Sequence, residues 1–456
     1  MKLENSSRPS QSTRLVLVGV TFTLLLSSAV NTAWAAKPPK PPPPPPPAAS
    51  YTYLYLGGLG GSDGSAYAIN STGQVVGQSK TAAGIQHAFI VVPQDTNGDG
   101  KPDLWNPTGT TQGLNPLMTD LGVPPGVDGA SQTYAADIND FGQVVGHSWD
   151  PNGLVETWLI APGDANGDGQ PDTWYQGDGT GGNALMIPLR LGEDYGDRTA
   201  INNLGQIVST RSGAGFVLVP LDADQDGRPD TWCQDGDSDG LNDLPIDLGQ
   251  AFGLNGALAA LQPRDINDAG QIVGLIPSQG GGDTPFLLTP KGTLTSPIWF
   301  EDVNHDGEND LITRLPLPAT GLGGLATVVN SRGTVAGQFR TSQGPFHAIF
   351  WKADASGVMR YTDLGVPKIE DYIESRAIND RDQVVGRAIL YGAQARIRSY
   401  SGWLWENGVM KDVRTLMDKS AELAGLWMAT AGINNSSLMV GWTGGPTYPW
   451  IAVPIP

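Results

Sequence analysis

The chain of 456 residues carries 46 acidic and 27 basic side chains, a formal net charge of −19, which excludes nucleic acid as an expected partner. One cysteine rules out an intramolecular disulfide, and 61 glycines with 36 prolines disfavour long helices and suit many short strands joined by tight turns.

In chain order, residues 1–35 read as a secretory signal peptide. Lys2, Arg8 and Arg14 form a basic leader, Leu15 to Leu26 is apolar, and Ala33-Trp34-Ala35 is a small-x-small cleavage site. The apolar run is short for a membrane anchor, no lipobox cysteine accompanies it, and no later stretch is long enough to span a bilayer. The expectation is an exported chain without a membrane span after signal removal, secreted or periplasmic. Residues 36–50, with seven prolines from Pro41 to Pro47, read as an extended polyproline spacer.

From residue 51 onward one pattern recurs. Ala66-Tyr67-Ala68-Ile69-Asn70-Ser71-Thr72-Gly73-Gln74-Val75-Val76-Gly77 returns around Asn139, Asn202, Asn267, Asn330, Asn379 and Asn434. Each copy is a short apolar run, a polar turn, and a second β-branched run, the pattern of a β-hairpin. The turn carries Gly73, Gly142, Gly205, Gly270 and Gly333 in five copies, and Asp382 and Ser437 in the last two. A third apolar run follows (His87 to Val92, Thr157 to Ile160, and on to Trp450 to Val453), and a weaker fourth ends in Leu-Gly. Four strands in seven copies predict an all-β fold, a seven-bladed β-propeller over residues 51–456. The first run, Tyr53 to Leu56, is of the fourth type and the last is of the third, so the N-terminal strand is expected to complete the final blade and close the ring. A helix is expected only over Val413 to Trp427.

Leu56-Gly57-Gly58-Leu59-Gly60-Gly61 through His87-Ala88-Phe89 resembles the HAF repeats of bacterial extracellular proteins. That resemblance covers nearly all of residues 51–456. It implies a surface or secreted β-rich repeat protein and no particular reaction.

Five acidic loops share the form Asp-x-(Asp/Asn)-x-Asp-Gly-x-x-Asp. They place candidate cation ligands at Asp95, Asn97, Asp99, Lys101 and Asp103; at Asp164, Asn166, Asp168, Gln170 and Asp172; at Asp222, Asp224, Asp226, Arg228 and Asp230; at Asp235, Asp237, Asp239, Leu241 and Asp243; and at Asp302, Asn304, Asp306, Glu308 and Asp310. Side-chain oxygens at positions 1, 3, 5 and 9 surround one ion, the residue at 7 offers its carbonyl, and glycine at 6 permits the sharp turn. Oxygen ligands without Cys or His favour Ca²⁺. The loops are similar to those of dockerins, thrombospondin type 3 repeats and the FG-GAP blades of integrin α-chains. Trp105, Trp174 and Trp232, each two residues past a last Asp, are expected to anchor a loop from beneath.

His87 and His347 head the third strand in their copies and are expected to pack or cap; His305 sits inside a loop at a non-ligand position, and Cys233 reads as a half-buried small hydrophobe. No HExxH, GxSxG, Walker or Rossmann pattern occurs. These features together predict a monomeric calcium-binding module or structural protein with a carbohydrate or protein ligand. The alternative is a polysaccharide-active hydrolase or lyase using carboxylates on the same scaffold.

Overall fold

The computed structural model describes residues 51–455 apart from 112, 128–130, 152, 154, 167–170, 193–197, 212–213, 224–228, 249–260, 279–281, 294–295, 306–308, 343, 367–371, 393–396, 424 and 446. The expected signal peptide and proline-rich spacer lie outside these residues.

Seven four-stranded antiparallel sheets follow one another, and their inner strands surround a central channel as a seven-bladed β-propeller. Blade 1 is Gly60–Ile69, Val75–Thr81, Gln86–Val91 and Met118–Gly122. The inner strands of blades 2 to 6 are Gln132–Ile138, Ala200–Ile201, Gln262–Ile266, Gly321–Val329 and Tyr372–Ile378. Blade 4 inserts a hairpin, Lys291–Thr293 with Ser296–Ile298, before its outer strand Ile312–Arg314. Blade 7 is Trp427–Ile433, Met439–Gly444 and Pro449–Pro454, and its fourth strand is the N-terminal Tyr51–Tyr55, paired antiparallel with Pro449–Pro454. The ring is therefore closed by strand exchange between the two ends, as the order of runs predicts. Tyr51 and Tyr53 are fully buried in that seam.

The repeated pattern has two steric causes. In the turn, the Asn70 N–H donates to Gln74 O at 3.1 Å and the Gly73 N–H to Asn70 O at 3.1 Å, with Gly73 at φ +83°. Asp382 and Ser437 adopt the same left-handed geometry at φ 60° and 61°, so blades 6 and 7 keep the turn without glycine. The second cause is a β-bulge that recurs in six inner strands, at Ala66/Ala68, Ala135/Asp137, Pro263/Asp265, Ala326/Val328, Ser375/Ala377 and Thr430/Gly432. The bulge drives a main-chain carbonyl into the facing strand. A Cβ on Gly77, Gly146, Gly274, Gly337, Gly386 or Gly441 would lie 1.9–2.2 Å from that oxygen. This accounts for the glycine that ends Gln-Val-Val-Gly. Blade 3 has Ser209 there, and its inner strand is cut to Ala200–Ile201.

The core lies between blades rather than within them, because each sheet buries both faces. Leu438, Val440 and Ile451 of blade 7 pack on Phe89, Val91 and Trp105 of blade 1, and every other junction holds a comparable buried cluster. The expected helix over Val413 to Trp427 is broken into two single turns, Val413–Leu416 and Ser420–Leu423. The interruption has a tertiary cause: the Asp418 N–H donates to Tyr51 O at 2.8 Å, and the Asp418 carboxylate accepts the Tyr53 N–H at 3.0 Å. Closing the seam outcompetes continuing the helix.

His87 and His347 cap as expected. His87 Nδ1 lies 2.9 Å from the Asp120 carboxylate and His347 Nδ1 3.0 Å from that of Asp363, so the histidine heading the third strand pairs with the Asp of Asp-Leu-Gly on the fourth.

Candidate functional site

The asparagines of the seven turns meet at the channel. Asn70 Nδ2 donates to Asn139 O, Asn139 to Asn202 O, Asn202 to Asn267 O, Asn267 to Asn330 O, Asn330 to Asn379 O, Asn379 to Asn434 O, and Asn434 back to Asn70 O, all at 2.9–3.0 Å. Each Oδ1 also accepts the N–H four residues on, as from Gln74 at 2.9 Å. No other side chain of this length offers two donors and an acceptor in that arrangement.

On one side of this ring, the residues after each asparagine form a polar mouth: Ser71, Asp140, Asn203, Asp268, Ser331, Asp380 and Asn435. They bond from blade to blade, for example the Ser71 N–H to Asp140 Oδ1 at 2.8 Å and the Asp380 N–H to Asn435 Oδ1 at 2.8 Å. On the other side, a collar of Ile69, Ile138, Ile201, Ile266, Val329, Ile378 and Ile433 leads into a chamber of 400 Å³.

That chamber has the opposite charge. Arg198, Arg264, Arg376 and Arg387 line or face it together with Tyr67, Tyr134 and Trp442. Glu374 serves two of these arginines: Arg387 Nε and Nη2 reach it at 2.8 and 3.2 Å, and Arg376 Nε lies 2.8 Å away at an angle too poor for a hydrogen bond. Burial opposes ionisation of Glu374, but Arg376 and Arg387 outweigh it and hold the carboxyl down to about 2. Burial and the neighbouring Arg198 bring the Arg376 guanidinium down to about 10. Asp137 and Asp265 each accept two backbone N–H groups, from Ile138 and Ile201 and from Ile266 and Val329, and so tie adjacent blades together. Burial pushes them up to about 6 and about 7, with Asp137 adding to the rise at Asp265. Arg387 stacks on Trp442, its Cζ 5.5 Å from the ring centroid.

The acidic loops form a second candidate region. All five close in one way. The N–H of the position-9 Asp (Asp103, Asp172, Asp230, Asp243, Asp310) donates to the carbonyl preceding position 1, and its carboxylate accepts the position-2 N–H at 2.7–3.3 Å. Two loops are described throughout. In the first, Asp95 accepts N–H groups from Gly98, Asp99 and Gly100, Asn97 accepts from Asp99, and Asp99 from Lys101. Those donors, Gly100 foremost, hold the Asp95 carboxyl below the usual range. In the fourth loop the carboxylates of Asp235, Asp237 and Asp239 converge within 4.8 Å of one another, and buried Asp235 Oδ1 has no hydrogen-bond partner. Position 6 is left-handed at Gly100 and Gly240 as expected, and so is position 4, at Gly98, Ser238 and His305. Asp168, Gln170, Asp224, Asp226, Arg228, Asp306 and Glu308 lie outside the described residues; Asp164, Asn166, Asp222, Asp302 and Asn304 are placed on the same closed loops.

The five loops occupy two different positions. The first three precede their tryptophan, and the indole N–H of Trp105, Trp174 and Trp232 donates to the turn carbonyl of Gly73, Gly142 and Gly205 at 2.8–2.9 Å. The fourth and fifth follow Trp232 and Trp299, and their position-8 residues Asn242 and Asn309 are buried, donating to the tryptophan carbonyls at 2.7 and 2.6 Å. Blade 3 thus carries an acidic loop in both positions, separated by Trp232.

No protein-family model and no curated protein sequence matches the chain. Among solved structures it is similar in fold to the β-propeller domain of the Trilobed protease from Pyrococcus furiosus (9% identity, TM-score 0.41, 89% of this chain and 94% of that one). It is similar also to virginiamycin B lyase from Staphylococcus aureus (10%, 0.40, 89% and 100%) and to the BP39L lectin from Burkholderia pseudomallei (10%, 0.34, 89% and 99%).

Proposed function

We propose that this propeller is an exported, calcium-binding module that displays a rigid face for a carbohydrate or protein ligand and catalyses no reaction. The observation that carries the reading is the convergence of Asp235, Asp237 and Asp239, with a buried oxygen left unsatisfied, inside a loop whose closure is shared by four others. Hard oxygen donors on a flexible loop fit Ca²⁺, whose coordination is irregular, better than Mg²⁺. Bound calcium would neutralise carboxylates that otherwise repel one another, so metal binding and loop order are coupled. The non-catalytic part is supported by the state of the nucleophile and base types present. His147 is buried between the Thr157 and Thr199 hydroxyls, and burial lowers it to about 4; burial also pushes up the Cys233 thiol.

The test is calcium titration calorimetry and elemental analysis of the chelator-stripped chain. Stoichiometric uptake is expected, with a melting temperature that rises with calcium and one ion lost in Asp99→Ala and in Asp239→Ala. A chain that takes up no calcium at millimolar concentration, and melts identically with and without chelator, overturns the metal assignment.

A further inference from the structure

The chamber beyond the aliphatic collar has two unlike sides. Trp442, Tyr67 and Tyr134 reach it from the successive blades 7, 1 and 2, whereas Arg198, Arg264 and Arg376 reach it from blades 3, 4 and 6. Tyr67 stands edge-to-face with Tyr134 and with Trp442, ring centroids 6.2 and 5.6 Å away, so the three rings line a wall without stacking on one another. Two of them are held from elsewhere. Tyr134 stacks on Trp149 at 4.8 Å, and Trp442 carries Arg387, whose Cζ lies 5.5 Å from its ring centroid.

On the charged side the groups answer one another. Arg376 and Arg387 share Glu374, and Arg264 Nη2 donates to Gln262 Oε1 at 3.0 Å. Burial lowers Arg198, and the opposite charges of Glu374 and Asp265 work against that. An ion entering here would shed its hydration and meet no unmatched charge. A neutral ligand suffers no such loss, and the wall still offers it both halves of a hydrogen bond. Guanidinium groups only donate, while Asp137 and Asp265 each accept two backbone N–H groups and keep acceptor capacity beyond them. A hydroxyl does both and bridges the two kinds.

Ala136, Thr199, Thr327 and Ala431 hold, in their blades, the position that Tyr67 holds in blade 1, three residues before the turn asparagine. These small side chains leave a volume of 400 Å³, within the range of small-ligand sites. An aromatic wall facing paired donors and acceptors matches a pyranose, which has a C–H face and a hydroxyl edge.

We infer that this chamber binds a neutral mono- or disaccharide, with Tyr67, Tyr134 and Trp442 taking the C–H face and hydroxyls bridging Arg264 and Asp265. The inference deepens the reading of the propeller as a binding module and rests on it. It assigns the ligand to the channel and not to the calcium loops.

The probes are galactose, glucose, mannose, fucose, N-acetylglucosamine, lactose and cellobiose, each titrated calorimetrically into the calcium-loaded chain. Galacturonate and galactosamine serve as charged counterparts. One neutral sugar or more is expected to bind at one per chain, with little change from low to high ionic strength. The charged sugars should bind at least tenfold more weakly. Ala136→Tyr repeats in blade 2 the residue that blade 1 carries and fills the space without deleting a contact. It should weaken sugar binding at least tenfold while leaving calcium stoichiometry and melting temperature unchanged, which separates lost recognition from lost fold. Tyr67→Leu, which removes an aromatic face, should weaken it likewise. Galacturonate or galactosamine binding as tightly as galactose overturns the neutral assignment. Binding unchanged in Ala136→Tyr and Tyr67→Leu puts the sugar elsewhere and overturns the site, but leaves the module reading standing. No binding across the panel overturns the inference outright. Calcium uptake, measured on the same samples, judges the module's metal sites separately.

Discussion

The side-chain amide of Asn434 donates to the main-chain carbonyl of Asn70 at 2.9 Å across 364 residues of sequence, and this bond completes the ring of seven around the channel. Asn434 is 6% exposed, and its Oδ1 also accepts from the Ser436 and Leu438 N–H groups at 3.0 Å. Replacing it by Ala leaves the Asn70 carbonyl with the Gly73 N–H alone and removes the acceptor of two N–H groups in blade 7, of which that of Leu438 belongs to a buried residue. Asn434→Ala is expected to cost about 2–4 kcal/mol. Asn434→Asp keeps the acceptor but sets a carboxylate against the Asn70 carbonyl, so it should cost at least as much at neutral pH. Denaturant unfolding measures both, and a loss below about 0.5 kcal/mol for Ala would show that the ring contributes little.

The same junction depends on the N-terminal strand. Tyr53 is fully buried, edge-to-face with Tyr55 at 5.0 Å and 5.9 Å from Trp450. Tyr53→Ala should cost about 3–5 kcal/mol by the cavity it leaves. Removing residues 51–55 should do more, since it bares the edge of Pro449–Pro454 and invites pairing between molecules. Light scattering on the truncated chain checks this, and a monodisperse truncation would mean that the seam is dispensable.

Much of this fold is legible in the chain because its period is written seven times. The turn asparagine, the hairpin runs and the exchange of strands between the ends can all be read from residue order. The broken helix at Val413 to Trp427 is not legible, because what stops it is Asp418 bonding to Tyr51 and Tyr53 from the far end of the sequence. The arginine chamber was hidden for a related reason. Arg198, Arg264, Arg376 and Arg387 look unconnected until the copies are aligned on their asparagines; then Tyr67, Arg264 and Arg376 fall at one position, three before Asn70, Asn267 and Asn379. The two positions of the acidic loops escape sequence reading too, since the nine-residue pattern is the same on either side of the tryptophan.

The glycine after Val-Val gives a third expectation, independent of the ring. A Cβ on Gly386 would lie 1.9 Å from Glu374 O and 2.7 Å from Trp403 Cζ2. Backbone and a buried indole cannot both yield, so Gly386→Ala should cost several kcal/mol, about 3 or more. It should also shift Glu374 and its two arginines. The equivalent exchange at Gly84, where nothing lies within 4 Å of the added Cβ, serves as the comparison; its φ of +82° alone should cost about 1 kcal/mol. Equal losses at the two sites would discount the bulge as the cause of the motif.

His147 supplies a pH dependence of definite sign. It stacks on Tyr134, with Nδ1 3.2 Å from Thr157 Oγ1 and Nε2 2.9 Å from Thr199 Oγ1, and Thr199 in turn meets Ser209 Oγ at 2.8 Å. These neighbours are neutral, and burial lowers the imidazole from 6.5 to about 4. The unfolded chain takes up this proton near pH 6.5 and the folded chain only near pH 4, so His147 leaves stability intact above pH 6.5 and erodes it as the pH falls to about 4. The full loss is about 3 kcal/mol. Asp137 and Asp265, raised to about 6 and about 7, act oppositely: their share is intact below about pH 4 and lost as the pH rises through those values. The two aspartates together outweigh the histidine, so the profile of the intact protein reports mainly on them, and the comparison that isolates the histidine is His147→Gln. This variant should be less stable than the parent at pH 7 by about 1 kcal/mol, through the lost stacking and hydrogen bonds. Between pH 6.5 and 4 it should lose less, so the two unfolding curves converge or cross. Parallel curves across that range would show that the imidazole is protonated in the fold.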